Sequence, residues 1–290
     1  MSDKHVIAYV GLGIMGRPAA SHLLRAGHEL RVYARRPEAM EPLAELGATP
    51  CKSAAEAAEG ARFAFTNVSD TPDVEEVVLG PGGYAESLAA GSVVVDMSTI
   101  APQAARDIAA ALAAKDVAFI DAPVSGGQAG AEAGTLAFMC GGAEEAFAAA
   151  SPLFEIMGSS HVLVGGSGAG QVAKCVNQIL IGATVDAVAE SFKMARRLGV
   201  EPAKVREAIA GGFAGSKVLE VHAKRIIEDD YVPGFKARLH LKDIKIAIEA
   251  ARGCGVEVPS AEEFRARLEK VIGQGHGEDD SSVAAKALDD

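Results

Sequence analysis

The glycine-rich segment near the start of the chain constrains the fold more than any other feature. Val6–Val10 is a short apolar run of the kind that forms a buried parallel strand. Residues 11–16 then read Gly-Leu-Gly-Ile-Met-Gly, and a helical pattern follows as far as Ala26. A second strand-like run at Glu29–Tyr33 completes the order of strand, glycine loop, helix and strand. This context indicates dinucleotide binding rather than a glycine-rich turn in an ordinary α/β sheet.

Each glycine of this segment has a physical reason in a dinucleotide site. Gly11 allows a tight turn, Gly13 lets a pyrophosphate touch the backbone, and Gly16 lets the helix pack closely on the strand. The phosphates would then lie at the positive N-terminal end of the helix. The predicted cofactor contacts in this segment are Gly11, Leu12, Gly13, Ile14, Met15 and Gly16.

The end of the second predicted strand indicates which dinucleotide binds. A fold specific for NAD usually has Asp or Glu about 20 residues beyond the glycines, where it holds the ribose 2′-hydroxyl. Here Tyr33 and Ala34 lead into Arg35 and Arg36, and no acid is present. Guanidinium groups suit a 2′-phosphate because they form charge-assisted, bidentate hydrogen bonds. We predict that Arg35 and Arg36 favour NADP(H); the alternative is that both are solvated turn residues and that NAD(H) is used as well.

Four further strands are predicted in the first half, at residues 63–68, 92–96, 117–121 and 161–164, and Ala-rich helical segments lie between and after the first two. In open parallel sheets, ligands bind beyond the carboxyl ends of the strands. Val68, Ser69 and Thr99 fall there and are predicted cofactor contacts. The alternative is that they are turn residues, or that Ser98 and Thr99 cap the helix that follows.

The pattern changes at about Gly168, where strand alternation stops and helical periodicity takes over. The first helix of this half is predicted at residues 168–198, long enough to link two domains and to pack against a partner subunit. Further helices are predicted at residues 202–210, 216–228, 239–252 and 259–272. The predicted fold is an α/β Rossmann-type dinucleotide-binding domain (residues 1–165) followed by an all-α C-terminal domain (residues 166–290).

Two further motifs carry side chains that could do chemistry. Lys174 and Asn177 lie three residues apart near the start of the long helix and therefore share one helix face. On residues 168–177 alone, a solvated surface edge is the favoured interpretation, because most helical lysines are exposed. Residues 121–127 read Asp-Ala-Pro-Val-Ser-Gly-Gly. Their hydroxyl and backbone N–H groups could hold a carboxylate, although such a loop is more often a turn.

Composition and charge exclude several classes of partner. The formal net charge of −11 argues against a nucleic-acid partner, and the hydrophobic fraction of 49% allows a sizeable core. The four cysteines lie far apart without metal-ligand spacing, so neither a disulfide framework nor a metal site is predicted. The sequence starts without a signal-peptide pattern, and no apolar run is judged long enough to span a bilayer. We expect a cytoplasmic protein with no membrane partner.

The motifs together resemble the β-hydroxyacid dehydrogenase family. The segments 11–16, 121–127 and 168–177 and the pair Lys242-Asp243 occur in the order and spacing of that family, and the resemblance covers essentially the whole chain. Segments of the second half resemble the members that reduce tartronate semialdehyde more than those that act on 3-hydroxyisobutyrate; they are residues 211–216, 233–236, 239–243 and 275–280. Two departures stand out: many relatives keep an acid where Ala34 stands, and a Leu-Pro or similar pair where Val68 and Ser69 stand.

The resemblance implies an NAD(P)H-dependent reduction of a small aldehyde that carries a carboxylate, with a homodimer or homotetramer formed through the helical domain. It implies that Lys174 is the catalytic acid and base and that Lys242 lies near the nicotinamide and the substrate. The remaining implied site residues are Asn177 beside the lysine, Ser125, Gly126 and Gly127 at the substrate carboxylate, and Ser216 at the substrate.

Several other functions compete with this one. Within the family, the substrate could be 3-hydroxyisobutyrate, 4-hydroxybutyrate or succinic semialdehyde, or glyoxylate, since all carry a carboxylate near a carbonyl or carbinol. Imine-reducing relatives usually have a different residue at the position of Lys174, which disfavours that activity. A non-catalytic nucleotide-binding module is the alternative from a different class, and the presence of both Lys174 and Asn177 ranks it below an enzyme.

Overall fold

The structure is a computed structural model and describes residues 4–288. Its backbone divides into two compact units, the first ending at Lys174 and the second beginning at Cys175. The prediction of a Rossmann-type domain followed by a helical domain is confirmed.

The first unit is built around one mixed sheet. Its strands are β1 Val6–Val10, β2 Glu29–Tyr33, β3 Thr49–Pro50, β4 Phe63–Thr66, β5 Val93–Asp96, β6 Ala118–Asp121, β7 Val124–Ser125, β8 Leu136–Gly141 and β9 Gly158–Gly165. Its helices are α1 Gly16–Arg25, α2 Glu41–Ala44, α3 Ala54–Ala58, α4 Thr71–Leu79, α5 Pro102–Ala113, α6 Gly127–Ala133 and α7 Glu144–Met157. The predicted strands are present, but β4 ends two residues earlier than the sequence indicates.

The strand order explains where a ligand can bind. The order is β3-β2-β1-β4-β5-β6-β8-β7, with β9 paired to β8, and all neighbours from β3 to β6 are parallel. The first six positions have the order 3-2-1-4-5-6 that is typical of dinucleotide-binding folds. One register row crosses five strands at their carboxyl ends and contains Tyr33, Val10, Thr66, Asp96 and Asp121. The loops that follow these five residues lie at the carboxyl ends of the strands, on one side of the sheet.

Both faces of the sheet are covered, as the continuous apolar strands require. Side chains alternate along β1, so that Ile7 and Tyr9 join one core cluster while Ala8 and Val10 join the other. The first cluster includes the buried ring of Phe138 on β8 and the Leu23 side chain on α1. Burial on two faces fixes the register of the central strands.

The second unit is helical. The long helix α8 Ala169–Arg197 begins in the first unit and continues into the second, and α9 Pro202–Ile209, α10 Lys217–Glu228, α11 Ala237–Gly253 and α12 Pro259–Gly273 follow, with a 3₁₀ segment Ser281–Leu288. Phe264 of α12 packs so closely on α8 that a Cβ on Gly182 would lie 2.4 Å from its ring. The predicted helices are present, and their observed ends differ from the predicted ones by no more than two residues.

The apolar character of α8 corrects one expectation from the sequence. α8 has 29 residues and contains an 18-residue window with a mean hydropathy of 1.3, which by length and composition is enough to cross a membrane. The expectation that no run is long enough is therefore wrong on this measure. Core helices of soluble proteins have the same length and composition, and 44% of the window is buried.

Candidate active site

The glycine loop packs against the end of β4, and this packing requires two of its three glycines. Gly11 has a φ of +101°, and a Cβ there would lie 2.1 Å from the backbone oxygen of Asn67. A Cβ on Gly16 would lie 1.8 Å from the backbone oxygen of Gly11. Gly13 is different, since a Cβ there would meet no atom within 4 Å. The open approach to the backbone at Gly13 fits the close contact that a pyrophosphate needs.

The other residues of the loop, and those that follow the neighbouring strands, lie at the same carboxyl ends of the sheet strands. Leu12 is buried in the core, whereas Ile14 is 40% exposed and Met15 is half-buried. Val68 donates its N–H to the Ser98 hydroxyl at 2.9 Å, so this serine connects two loops. The helix α5 that follows has Ala101 at its N-cap and no side-chain cap, so the alternative role of Ser98 and Thr99 as caps is wrong. Ser69 is exposed and Thr99 is half-buried.

Arg35 has an acidic neighbour that the sequence did not reveal. Arg35 and Arg36 are both exposed after β2, as expected for residues that meet a ligand from solvent. The Arg35 Nη1 atom lies 3.2 Å from Oδ1 of Asp73, which is in the first turn of α4. Asp73 is therefore a charged group beside the side chain that we predict to bind the 2′-phosphate.

Lys174 is buried and lies beside the Ser-Gly-Gly turn. Its Nζ donates a hydrogen bond of 2.9 Å to the backbone oxygen of Val124, the residue before Ser125. Gly126 and Gly127 follow with φ values of +135° and +61°, which favour glycine at both positions. Residues that are 50 positions apart in the sequence thus lie together in the first unit. Residues 168–177 alone favour an exposed lysine on the helix surface. This interpretation is wrong for Lys174, because only 7% of this residue is exposed.

The start of α8 is held by two buried side chains that sequence reasoning missed. The carboxylate of Asp121 accepts hydrogen bonds from the N–H of Gly168 at 2.7 Å and of Gln171 at 2.9 Å. The Gln171 side chain accepts from the N–H of Ile100 and donates to the backbone oxygen of Ser98. Burial raises the pKa of Asp121 to about 7, against the lowering effect of the two backbone hydrogen bonds. An aspartate at the end of a buried strand was the only sequence signal for this contact.

The site residues predicted in the second unit take part in a different set of contacts. Lys242 Nζ lies 2.9 Å from Oδ1 of Asp243, and Gln178 donates to Oδ2 of the same carboxylate at 2.7 Å. Asn177 is half-buried, and its Oδ1 has no hydrogen-bond partner among residues 4–288. Gln178 and Asp243 are both buried. The sequence did not reveal the contact between them, because Gln178 lies one position beyond the motif residue Asn177 and Asp243 was named only as the neighbour of Lys242.

Ser216 has a structural use. It is the N-cap of α10, and its hydroxyl accepts the N–H of Leu219 at 3.0 Å. No metal site accompanies these residues, since no group of three or more His, Cys, Asp or Glu lies together in the described part of the chain.

The sheet order, the glycine loop and a lysine buried beside a Ser-Gly-Gly turn define a dinucleotide-dependent oxidoreductase. Residues 6–166 match the family model for the NAD binding domain of 6-phosphogluconate dehydrogenase. Residues 168–288 match the model described as NAD-binding of NADP-dependent 3-hydroxyisobutyrate dehydrogenase. The chain belongs to the NAD(P)-dependent β-hydroxyacid dehydrogenase family.

Individual relatives cover almost the full chain. The chain is 40% identical to 2-hydroxy-3-oxopropionate reductase of Escherichia coli over 98% of its length and 97% of that protein. It is 38% identical to the NAD-dependent L-serine dehydrogenase of Pseudomonas aeruginosa, over 98% of its length and 97% of that protein. The solved structure of Mycobacterium tuberculosis 3-hydroxyisobutyrate dehydrogenase with L-serine matches with a TM-score of 0.90 at 29% identity, covering 99% of this chain and 100% of that one.

These matches decide between the classes that the sequence left open. The predictions of the family, of an NAD(P)-dependent oxidoreductase and of an NAD(P) cofactor are confirmed. The alternative of a non-catalytic nucleotide-binding module is set aside. The named relatives differ in substrate, so the family alone leaves the substrate of this enzyme open.

Proposed function

We propose that this enzyme reduces a small aldehyde that carries a carboxylate, with tartronate semialdehyde as substrate and glycerate as product. The observation that carries the proposal is the buried ammonium group of Lys174, which lies 2.9 Å from the Val124 carbonyl and directly beside Ser125. The 40% identity to 2-hydroxy-3-oxopropionate reductase supports this choice of substrate.

Lys174 is the general acid of the proposed reaction. When bound, the dihydronicotinamide supplies a hydride to the aldehyde carbon. Negative charge then develops on the aldehyde oxygen, and the Lys174 ammonium hydrogen-bonds that oxygen, polarises the carbonyl and protonates the incipient alkoxide. In the reverse direction the neutral amine is the base. Burial strengthens the contribution of the ammonium, since water does not screen it.

Ser125, Gly126 and Gly127 hold the substrate carboxylate. A hydroxyl and two backbone N–H groups in a turn with positive φ values form a concave set of donors suited to an anion. Their place directly after Val124 means that the carboxylate and the reacting oxygen are bound by neighbouring parts of the chain. Fixing both ends of a small substrate limits its orientation, which is a large part of the rate enhancement.

The cofactor is held at the carboxyl ends of the parallel strands, and NADPH is preferred over NADH. Gly11, Gly13 and Gly16 with the neighbouring loop residues bind the pyrophosphate, and Arg35 and Arg36 bind the 2′-phosphate. Val68, Ser69 and Thr99 are further proposed contacts at these strand ends. In the second unit, Asn177 orients Lys174 or the substrate, Lys242 contacts the cofactor and substrate, and Ser216 remains a proposed substrate contact despite its capping bond.

A screen of NADPH consumption tests this function. Tartronate semialdehyde, succinic semialdehyde, glyoxylate and the aldehyde of 3-hydroxyisobutyrate are compared by kcat/KM, with the Lys174→Ala variant as the catalytic control. We expect the highest value for tartronate semialdehyde and loss of turnover in the variant. Higher kcat/KM for another aldehyde would contradict the choice of substrate, and absence of turnover on all of them would contradict the proposed reaction class.

Oxidation of L-serine is the second candidate, because one relative is named for it and a matching solved structure contains L-serine. L-Serine also carries a carboxylate and a primary carbinol, so the same turn and lysine suit it. Measuring NAD⁺ and NADP⁺ reduction with L-serine and with D-glycerate separates the two. A larger kcat/KM for L-serine with NAD⁺ would favour this candidate.

We further propose a cytoplasmic enzyme that forms a homodimer or homotetramer through its helical domain. Val176 and Leu180 support the oligomer, since they lie four residues apart on one face of α8 and are 52% and 63% exposed. Sedimentation velocity of the wild type and of Leu180→Glu tests it. A monomer in the wild type would contradict the proposal, and dissociation in the variant would support it.

A further inference from the structure

The end of β6 and the start of α8 are joined by one buried carboxylate. Asp121 is the last residue of β6 and is fully buried. Its Oδ1 accepts the N–H of Gly168, and its Oδ2 accepts the N–H of Gln171. These are N–H groups at the start of a helix, which have no partner within the helix itself. A negative charge at this end also interacts favourably with the helix dipole.

We propose that Asp121 is a positioning residue for Lys174: its carboxylate fixes the first turn of α8 against β6 and thereby sets where the lysine ammonium stands. This proposal rests on the proposed role of Lys174 as the general acid. The Asp121 carboxylate accepts from the backbone N–H groups of Gly168 and Gln171, so in this proposal it acts on the lysine through the helix.

The sequence spacing turns these contacts into a closed ring. Asp121 lies three residues before Val124, and Gln171, whose N–H it accepts, lies three residues before Lys174. Lys174 then donates to Val124, which closes the ring. Residues three apart on a helix lie on the same side, so a shift of the first turn moves the lysine directly. Both partners of the Lys174–Val124 hydrogen bond are therefore tied to the same carboxyl group.

Close packing leaves little room for the first turn to shift. A Cβ on Gly170 would lie 2.3 Å from the backbone oxygen of Met139 and 2.5 Å from that of Asp121. A Cβ on Gly141 would lie 2.7 Å from the Asp121 Oδ1 atom. The side chain of Gln171 adds a second attachment, to the backbone of residues 98 and 100. The helix backbone is thus held directly against the strand ends.

The charge on Asp121 decides how firmly it holds the helix. Burial raises its pKa to about 7, and the nearby Asp96 carboxyl on β5 adds to the rise, while the N–H groups of Gly168 and Gln171 oppose it. The Cys140 thiol on β8 also faces it, and its own pKa is raised to about 12, so it stays neutral. Well above pH 7 the ionised carboxylate accepts both N–H groups. As the pH falls through 7 it gains a proton, becomes a weaker acceptor, and its hold on α8 weakens.

The test uses Asp121→Asn, which keeps the shape and one acceptor oxygen but places an NH₂ group against a helix N–H. The readouts are hydrogen–deuterium exchange of residues 168–174, the rate of reductive methylation of Lys174, the NADPH Kd, and kcat for tartronate semialdehyde from pH 5 to 9. We expect faster exchange, a changed methylation rate and an NADPH Kd within about twofold of the wild type. We expect kcat to fall by about 10- to 100-fold, the scale of a misplaced catalytic group.

The pH profile distinguishes positioning from a general loss of stability. The wild type should lose activity below a pH of about 7, and Asp121→Asn should lack this acid limb, whereas Asp121→Glu should retain it. Val94→Ala is the stability control, since Val94 is buried on β5 in a core cluster that contains no residue of α8. This variant should keep the acid limb of the pH profile and the wild-type exchange of residues 168–174. An unaltered acid limb, unaltered exchange, or faster exchange with wild-type kcat in Asp121→Asn would overturn the proposal. Exchange and methylation require no turnover, so they test the positioning by Asp121 even if Lys174 is not the general acid. If Lys174 is not the general acid, the Lys174→Ala variant remains active.

Discussion

The ammonium nitrogen of Lys174 donates a 2.9 Å hydrogen bond to the backbone oxygen of Val124. Both residues are buried, and a buried ammonium needs a hydrogen-bond acceptor to offset the water it loses. A backbone carbonyl accepts strongly from an ammonium and, more weakly, from a neutral amine. The amine can therefore release and regain a proton without losing this anchor, which suits a group that works in both directions of a reversible reaction.

Removing this amine should abolish turnover but leave the cofactor bound. Lys174→Ala should lower kcat by about 10²- to 10⁴-fold, the usual contribution of a positioned acid or base, and should leave the NADPH Kd within about twofold. Lys174→Arg should restore little, because a guanidinium does not release a proton. Lys115→Ala is the matched control, since Lys115 also donates to a backbone oxygen but is exposed. Near-normal turnover in Lys174→Ala would remove this residue from the catalytic role.

The three glycines of the cofactor loop should fail in different ways when changed to alanine. Gly11→Ala and Gly16→Ala place a Cβ 2.1 Å and 1.8 Å from backbone oxygens, so we expect a large fall in Tm or no folded protein. Gly13→Ala meets no atom within 4 Å, so the fold and Tm should be retained. Its NADPH Kd should rise by about 10- to 100-fold, because the added Cβ keeps the pyrophosphate away from the backbone N–H, and losing a hydrogen bond to a charged group costs about 1.5–3 kcal/mol.

Differential scanning fluorimetry and fluorescence titration with NADPH measure these two effects independently. A Gly13→Ala variant that binds NADPH as the wild type does would show that the pyrophosphate does not approach this residue. Thermal shifts of similar size in all three variants would contradict the distinction between packing and ligand approach.

The sequence predicted the dinucleotide fold because the signal is local. The three glycines, with a short strand pattern before them and a helix pattern after them, lie in one continuous segment, and the contact of Gly16 is with Gly11 of the same loop. Only the contact of Gly11 with Asn67 reaches a distant part of the chain. Lys174 could not be assigned in this way, since its burial depends on Val124, which lies 50 residues earlier. Its predicted role came from the resemblance of ordered motifs to a family.

The buried polar contacts could not be predicted at all. Asp121 and Gln171 are 50 residues apart, and Gln178 and Asp243 are 65 apart. Neither pair has a periodicity or spacing that distinguishes it from an ordinary polar residue beside a turn. Ser216 has a use that the resemblance did not indicate, because a serine before a helix can be its N-cap, and its role at the substrate stays a prediction.

Asp73 should weaken the preference for NADPH. Its carboxylate lies 3.2 Å from Arg35, competes with a 2′-phosphate for that guanidinium and repels the phosphate charge. Arg35 is 74% exposed, so the pair is screened and worth no more than about 1 kcal/mol. Asp73→Asn should therefore raise the ratio of kcat/KM for NADPH to that for NADH by about two- to fivefold.

Two variants complete this test of cofactor choice. Glu76→Gln removes one negative charge from an exposed position on the same helix and should change the ratio little. Changing Arg35 and Arg36 together to alanine should lower the ratio strongly, through KM for NADPH. Equal kcat/KM for the two cofactors in the wild type and in the double variant would contradict the predicted role of both arginines.

Two buried aspartates of the second unit should give the fold opposite pH dependences. Burial raises the pKa of Asp186 to about 7. The positive charge of Arg267 lowers this pKa only in part, because Arg267 also pairs with Glu190 and Glu263. The folded state therefore holds this proton more tightly than the unfolded state, whose pKa is about 4. Its stabilising effect is complete below about pH 4 and is lost as the pH rises towards 7.

Asp280 has the reverse sign. Burial alone would raise its pKa, but His222, whose Nδ1 lies 3.5 Å from Oδ1, and hydrogen bonds from the N–H and hydroxyl of Ser282 outweigh it and hold the pKa well below the usual range. Its carboxylate also accepts the N–H groups of Gly234 and Phe235. The resulting stability is present above about pH 4 and is lost only as the pH falls below that value.

Urea unfolding at pH 5 and pH 8 separates these two contributions. Asp186→Asn should be more stable than the wild type at pH 8 and close to it at pH 5, since the amide lacks the charge that burial penalises. Asp280→Asn should lose about 3–5 kcal/mol at both pH values, the cost of breaking a buried charged network. The opposite result, Asp186→Asn less stable than the wild type at pH 8, would mean that the Asp186 carboxylate is needed to neutralise Arg267. The predicted sign of the pH dependence would then be wrong.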